Sequence, residues 1–309
     1  MIMVGNGRLL TRDPERPYFP DGAVVLDGDT VREAGPLAEL RAKYPQAEFV
    51  DAKGGVIMPG LINAHTHIYS GLARGLSIEG NNPTNFLEVL EGTWWNIDRH
   101  LTLDGTRACA YATVLDCIRD GVTTIFDHHA SYRAVPGSLF AIKDVCRELG
   151  IRACLCYEVS DRRSQEKCDQ AIAENAEFAQ WAAKERRDND NHMIAAMPNV
   201  GWCEAMTMLF ENNAKMASKY FDRKLGVLEP GAAADVIVMD YKPFTPLSEE
   251  NIDGHMLFGM MGKNCRTTII NGRVLYKDRE FVGIDEDKIN AWTMAESKKL
   301  WSTLNDRVY

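Results

Sequence analysis

Two histidines one residue apart, His65 and His67, close the apolar run Gly55-Val-Ile-Met-Pro-Gly-Leu-Ile-Asn-Ala-His-Thr-His67. Strand side chains alternate between faces, so both imidazoles project to one side and can offer two ring nitrogens to a single divalent cation. A bare H-x-H is weak evidence, because ordinary core or surface histidines are the commoner reason for one. Other residues with reactive side chains close neighbouring runs. His128 and His129 end Gly121-Val-Thr-Thr-Ile-Phe-Asp-His-His129. His129, ahead of His128, is a candidate for touching substrate, with a structural hydrogen bond as the alternative. Arg74 follows the histidine pair on a loop and could hold a carbonyl or carboxylate, or stand solvated or salt-bridged. Glu158 ends a third apolar run and is a further pocket candidate. Trp94 and Trp95 lie in an apolar, helix-like stretch after the histidine pair and could line a pocket, with core packing the commoner reason for such a pair.

The elements that would position these residues fall into three stretches. The first 58 residues read as short strands and turns: Met1–Val4, Arg8–Leu10, then Ala23–Leu26 and Thr30–Glu33 around Asp27-Gly28-Asp29, a hairpin signal. The last third repeats that texture, with a β-forming run Ala234–Asp240 and a hairpin at Asn271-Gly272. Between them strands alternate with helices. A helix Leu103–Arg119, which Thr102 could cap, stops near Gly121. Then come a strand Val122–Phe126, a helix Ser138–Leu149, a strand Arg152–Glu158, a long polar helix from Ser164 to Arg187, and a strand starting at Met193. Repeated strand–helix units imply a parallel α/β sheet, open or closed into a (β/α)8 barrel.

Composition narrows the function. At 309 residues and 45% hydrophobic content the chain can bury a sizeable core. A net charge of -9, with no cluster of five or more Lys and Arg, argues against nucleic acid as a partner. No apolar stretch approaches the ~18 residues of a membrane span, so a membrane or secreted protein is not expected. Eight cysteines without a C-x-x-C pair read as the thiols of a cytoplasmic enzyme. Cys154 and Cys156 share a strand face but lack the second cluster a metal site would need.

Pro59-Gly-Leu-Ile-Asn-Ala-His-Thr-His67 resembles the first-strand signature of the metal-dependent amidohydrolase superfamily. Gly226-Val-Leu-Glu-Pro-Gly-Ala-Ala-Ala-Asp-Val-Ile-Val-Met-Asp240 resembles its closing segment. Ser70–Gly75, Gly121–His129 and Cys156–Asp161 look closest to the branch of cytosine and guanine deaminases, triazine chlorohydrolases and the aminohydrolases called SsnA. The resemblance covers nearly the whole chain. It implies a (β/α)8 barrel with a β-sandwich made from both chain ends, and one divalent metal, Zn or Fe, at the barrel mouth. It also implies hydrolysis of a C–N bond on a small, heterocyclic substrate. His65 and His67 would be metal ligands; in the family a fifth-strand His, often a sixth-strand His, and an eighth-strand Asp join them.

Those partners are not found. After His129 only His192, in a polar loop, and His255, beyond the closing motif, remain, and neither has a ligand setting. The usual catalytic Glu and Asp are missing, so the catalytic residues are unknown. Taking 1–58 and 224–284 as a composite β-sandwich and 285–309 as a C-terminal helix leaves 59–223 for the barrel, about two thirds of the ~250 residues a (β/α)8 barrel takes. We therefore expect an incomplete barrel of about four strand–helix units. The break falls near Ala196-Met197-Pro198, followed by a last barrel helix, Glu204–Phe221. Two functions follow as expectations: a metal-dependent aminohydrolase, or a catalytically impaired, internally truncated remnant acting as a binding protein. Self-association into a homo-oligomer would cover the open sheet.

Overall fold

The structure, a computed structural model, describes residues 1–197, 213–243, 245–248, 255, 260 and 265–304. The chain opens with β1 (Ile2–Leu10), β2 (Tyr18–Asp27), β3 (Thr30–Pro36), the short helix α1 (Leu37–Lys43), β4 (Glu48–Asp51) and β5 (Val56–Pro59). Sequence reading split β1 in two at Gly5-Asn6. The strand runs through instead, because an irregularity between Val4 and Gly7, with Asn6 at φ 61°, absorbs the break without ending the pairing to β2. The Gly28-Asp29 turn closes the β2–β3 hairpin, with Gly28 at φ 60°, where no Cβ has to be accommodated.

The middle of the chain contains β6 (Leu61–Thr66), α2 (Phe86–Val89), a π-helical turn Leu90–Trp94, α3 (Trp95–His100), α4 (Leu103–Arg119), β7 (Val122–His129), α5 (Ser138–Leu149), β8 (Arg152–Tyr157), α6 (Gln165–Asn189) and β9 (Ile194–Ala196). Thr102 Oγ1 accepts the Gly105 N–H at 3.0 Å, which is the expected cap of α4. Ser164 caps α6 in the same way, through the Lys167 N–H. Gly150, at φ 81°, ends α5. Then follow α7 (Asn213–Phe221), β10 (Val236–Met239), β11 (Cys265–Ile270), β12 (Arg273–Lys277), β13 (Glu280–Phe281) and α8 (Glu286–Leu304). Of the expected helix Glu204–Phe221, residues 204–212 lie outside the described residues.

Nine strands form one sheet in the order β13-β12-β11-β10-β5-β1-β2-β3, with β4 alongside β1. Its centre is where the two chain ends meet: β5 pairs antiparallel with β10, Val236 opposite Pro59 and Met239 opposite Val56. The pairing buries Ile57, Val236 and Val238 with Val4, Leu9, Val24 and Ile269 in one cluster. A second sheet has the order β6-β7-β8-β9, and its β8–β9 pair is parallel.

Two compact units divide these elements. The first takes residues 1–63, 116–124 and the described part of 202–284. The second takes 64–115, 125–201 and the described part of 285–309. Its interior is built from Ile97, Leu101, Leu115, Phe126, Leu139, Ile142, Leu155 and Phe178, all buried. Each side chain of the candidate site belongs to this second unit.

Candidate active site

His65 ends β6 and His67 opens the 3-10 turn Ile68–Ser70 that follows. Alternation works as expected: the two rings come together, centroids 4.7 Å apart and planes at 89°. His67 Nδ1 lies 3.0 Å from the His128 carbonyl oxygen. A carbonyl can only accept, so Nδ1 carries the proton and Nε2 keeps its lone pair, the state a metal ligand requires. The turn is held from below by Asp127, whose Oδ1 accepts the Ile68 N–H at 2.6 Å. Asp127 is fully buried, its Oδ2 has no hydrogen-bond partner, and burial pushes its carboxyl up to about 8.

β7 brings His128 and His129 alongside. The His128 ring is half-buried, with its centroid 5.7 Å from that of His67. Burial and the neighbouring His67 and His65 lower its pKa, while burial and His67 lower that of His65. His129, which sequence reading ranked ahead of His128, is sealed in the interior at 0% exposure. Its Nε2 meets Ser131 Oγ at 2.9 Å, and that hydroxyl donates onward to the Ala134 carbonyl, so Nε2 bears the hydrogen. Burial, then His128, holds the His129 imidazole down to about 3.

Glu158 follows β8 and is anchored by its N–H to the His129 carbonyl at 2.8 Å. Its carboxylate receives two N–H groups of Arg162, at 2.7 and 3.3 Å. Arg162 also bonds Asp98 of α3, which is 1% exposed, and lies over the Tyr132 ring at 4.3 Å and the Trp95 ring at 5.2 Å. Burial raises the Glu158 pKa against the pull of Arg162 and His67. Asp98 is pushed up to about 7 by burial, with Arg162 opposing.

Arg74 stands exposed on the loop beyond the 3-10 turn. Trp95 takes the pocket-lining alternative: with Asn81, Asn96, Arg99, Arg162 and Arg163 it lines a cavity of about 580 Å³. His192 sits beside β9 with Nε2 2.7 Å from Asp190, and His255 bonds the Tyr241 hydroxyl. Neither joins the cluster around His67.

Sequence reading missed Asp98, Asp127 and Arg162. An acid inside an apolar strand, as in Ile125-Phe-Asp127, is the signal that could have singled out Asp127, because a buried carboxyl needs a local partner. Among the described residues no three His, Cys, Asp or Glu side chains are grouped so as to hold an ion. The histidine pair therefore fits two positions of a metal's coordination shell, and the structure does not present a third ready-made.

Residues 56–216 match the Amidohydrolase family, and residues 22–47 match an imidazolonepropionase-like composite domain of bacteria. A 5'-deoxyadenosine deaminase of Methanococcoides burtonii is 28% identical over 184 residues, which is 59% of this chain and 39% of the relative. The chain thus spans under half the length of the curated relatives it matches. An adenosine deaminase from Xanthomonas campestris with bound zinc superposes at a TM-score of 0.69 and 14% identity, over 97% of this chain and 98% of the other. A variant of atrazine chlorohydrolase TrzN from Arthrobacter aurescens, complexed with zinc and atraton, superposes at 0.67 and 16% identity, over 96% and 100%. These superpositions show a shared fold. The chain belongs to the amidohydrolase family.

Proposed function

We propose that this chain is a metal-dependent hydrolase that removes an amino group from a small heterocycle, with adenosine-type compounds, the substrates named for its relatives, as the first to test. The observation that carries the reading is the pairing of His65 with His67, the latter locked by the His128 carbonyl into the tautomer that leaves Nε2 free. These two residues would hold a zinc or iron ion, which when bound supplies an activated water and polarises the bond under attack. Glu158 is a carboxyl whose pKa burial raises while two guanidinium N–H groups of Arg162 hold it in place, a candidate for moving a proton in the pocket. Arg74 and His129 are further candidates, with His129 acting from beneath the surface.

In this reading the four-stranded sheet and its helices, residues 59–223, are an incomplete (β/α)8-type barrel. Residues 1–58 and 224–284 are the composite β-sandwich, and 285–309 the C-terminal helix. No described helix is long and apolar enough to cross a membrane, which is compatible with a cytoplasmic site of action. The test is ammonia release from 5'-deoxyadenosine, adenosine, guanine and cytosine by protein loaded with Zn(II) or Fe(II). Metal-dependent release that disappears in His65→Ala supports the reading. A loaded protein that releases no ammonia from any of them overturns it.

A further inference from the structure

Main-chain groups of successive strand residues turn to opposite edges, so Ala153, Leu155 and Tyr157 of β8 face the same way. Ala153 donates to the Met193 carbonyl at 2.9 Å and Leu155 accepts the Met197 N–H at 3.0 Å, along the edge paired with β9. The β8–β9 register runs from Ala153 to Leu155. Tyr157, the next residue in that alternation, meets a side chain of α6. Asn175 Oδ1 accepts the Tyr157 N–H at 2.9 Å, and Asn175 Nδ2 donates to the Tyr157 carbonyl, also at 2.9 Å.

We propose that Asn175 is a positioning residue for Glu158, its carboxamide standing in for a neighbouring strand at the end of β8. The proposal rests on the reading above for the task it gives Glu158, and concerns only what fixes that side chain.

An amide can serve the N–H and the C=O of one residue at once because it carries both an acceptor and a donor. Nδ2 also donates to the Ala171 carbonyl, one helical turn earlier, at 2.9 Å. That bond ties the carboxamide to its own helix, so the position of α6 is passed on to the strand end. Tyr157 is 3% exposed, so either main-chain group left unbonded would be buried.

The peptide joining Tyr157 to Glu158 is thereby held at both ends. Its carbonyl is bonded by Asn175, and its N–H donates to the His129 carbonyl of β7 at 2.8 Å. The plane of that peptide is fixed, and with it the backbone from which Glu158 projects. Arg162 then meets the carboxylate with two N–H groups, at 2.7 and 3.3 Å. The adjacent Glu174 provides the contrast. It is equally buried, but its carboxylate accepts the N–H groups of Gly137 and Leu139 at the start of α5, at 2.7 and 2.8 Å.

NMR of the full chain, labelled with 13C at the glutamate carboxyl, follows Glu158 without any assay of turnover, its resonance assigned by its absence in Glu158→Gln. In Asn175→Ala we expect its pH midpoint to move down by about half a unit, toward the ordinary Glu value, because the carboxyl is released from a fixed place in a buried setting. Glu174→Ala removes two buried hydrogen bonds from the same turn of α6, and should lose stability while leaving that midpoint in place. Should Asn175→Ala fail to fold, Asn175→Leu, which fills the same space without either bond, is read in the same way. In protein that turns over, kcat should fall about 10-fold in the Asn175 variant with KM little changed. A midpoint that stays in place in the Asn175 variant, or that moves as far in Glu174→Ala, would overturn the proposal. A moved midpoint in a loaded protein that releases no ammonia would sink the hydrolase reading alone, and ammonia release with the midpoint in place would sink this one alone.

Discussion

The Nδ1 atom of His67 lies 3.0 Å from the backbone carbonyl oxygen of His128, so one strand end sets the tautomer of a ring carried by its neighbour. Replacing either His65 or His67 by Ala should therefore lower cation affinity at least 10-fold, since each supplies a nitrogen that the other cannot. Both side chains are partly solvent-accessible, so stability should move by no more than about 1 kcal/mol. Competition against a chromogenic chelator, beside urea unfolding, separates the two effects. Equal zinc affinity in all three proteins would show that the pair does not bind the ion.

Asp127 fixes the turn that carries His67, through the buried bond from the Ile68 N–H. Asp127→Ala leaves that donor without an acceptor, which costs about 1–3 kcal/mol. Removing Oδ2, which is buried without a partner, returns part of that, so the lower half of the range is expected. Urea midpoints at constant m-value measure it, and an unchanged midpoint would mean that Asp127 does not support the turn.

Much of this architecture is legible because the signals are local. Helix α4 announces itself by Thr102 before and Gly121 after, α5 by Gly150, and the two hairpins by Gly28 and by Asn271-Gly272. His65 and His67 are legible because the period of a strand is fixed. The partnership of Asp98 with Arg162 is not, since 64 residues separate them and no short-range pattern encodes the pairing. The choice between His128 and His129 was equally closed. Alternation puts them on opposite faces, but in a strand apolar on both faces it does not say which face meets the histidine pair. That both chain ends contribute to one β region was legible only through the resemblance of the two flanking motifs, and the β5–β10 pairing that joins them, being long-range, was not legible at all.

The Asp98–Arg162–Glu158 group yields a sharper stability test. Arg162→Met strands a carboxyl that is 1% exposed, and losing one partner of a buried ion pair costs about 3–5 kcal/mol. Adding Asp98→Asn removes the stranded acid, so the double variant should regain a large part of the loss. The coupling is read from a double-mutant cycle in urea. Additive effects would mean that Asp98 and Arg162 are independent.

The pH dependence of the nine-stranded sheet should owe part of its acid limb to Asp240. This carboxylate accepts from Arg266 at 2.6 Å and from Arg279 at 3.1 Å, and the Arg266 hydrogen bond holds its pKa below the ordinary carboxylate value of 3.8. A depressed folded-state pKa means that the unfolded chain takes up the proton first as pH falls. The stabilisation is therefore complete above about pH 5, declines once pH drops below 3.8, and is gone beneath the folded-state value. Asp240→Asn should cost about 1 kcal/mol at pH 7, because both partners are about a quarter exposed and partly screened. Unfolding followed from pH 7 to pH 3 checks the sign: the gap between the two proteins should narrow toward acid. A gap that widened, or stayed constant down to pH 3, would show that the ion pair does not set the acid limb.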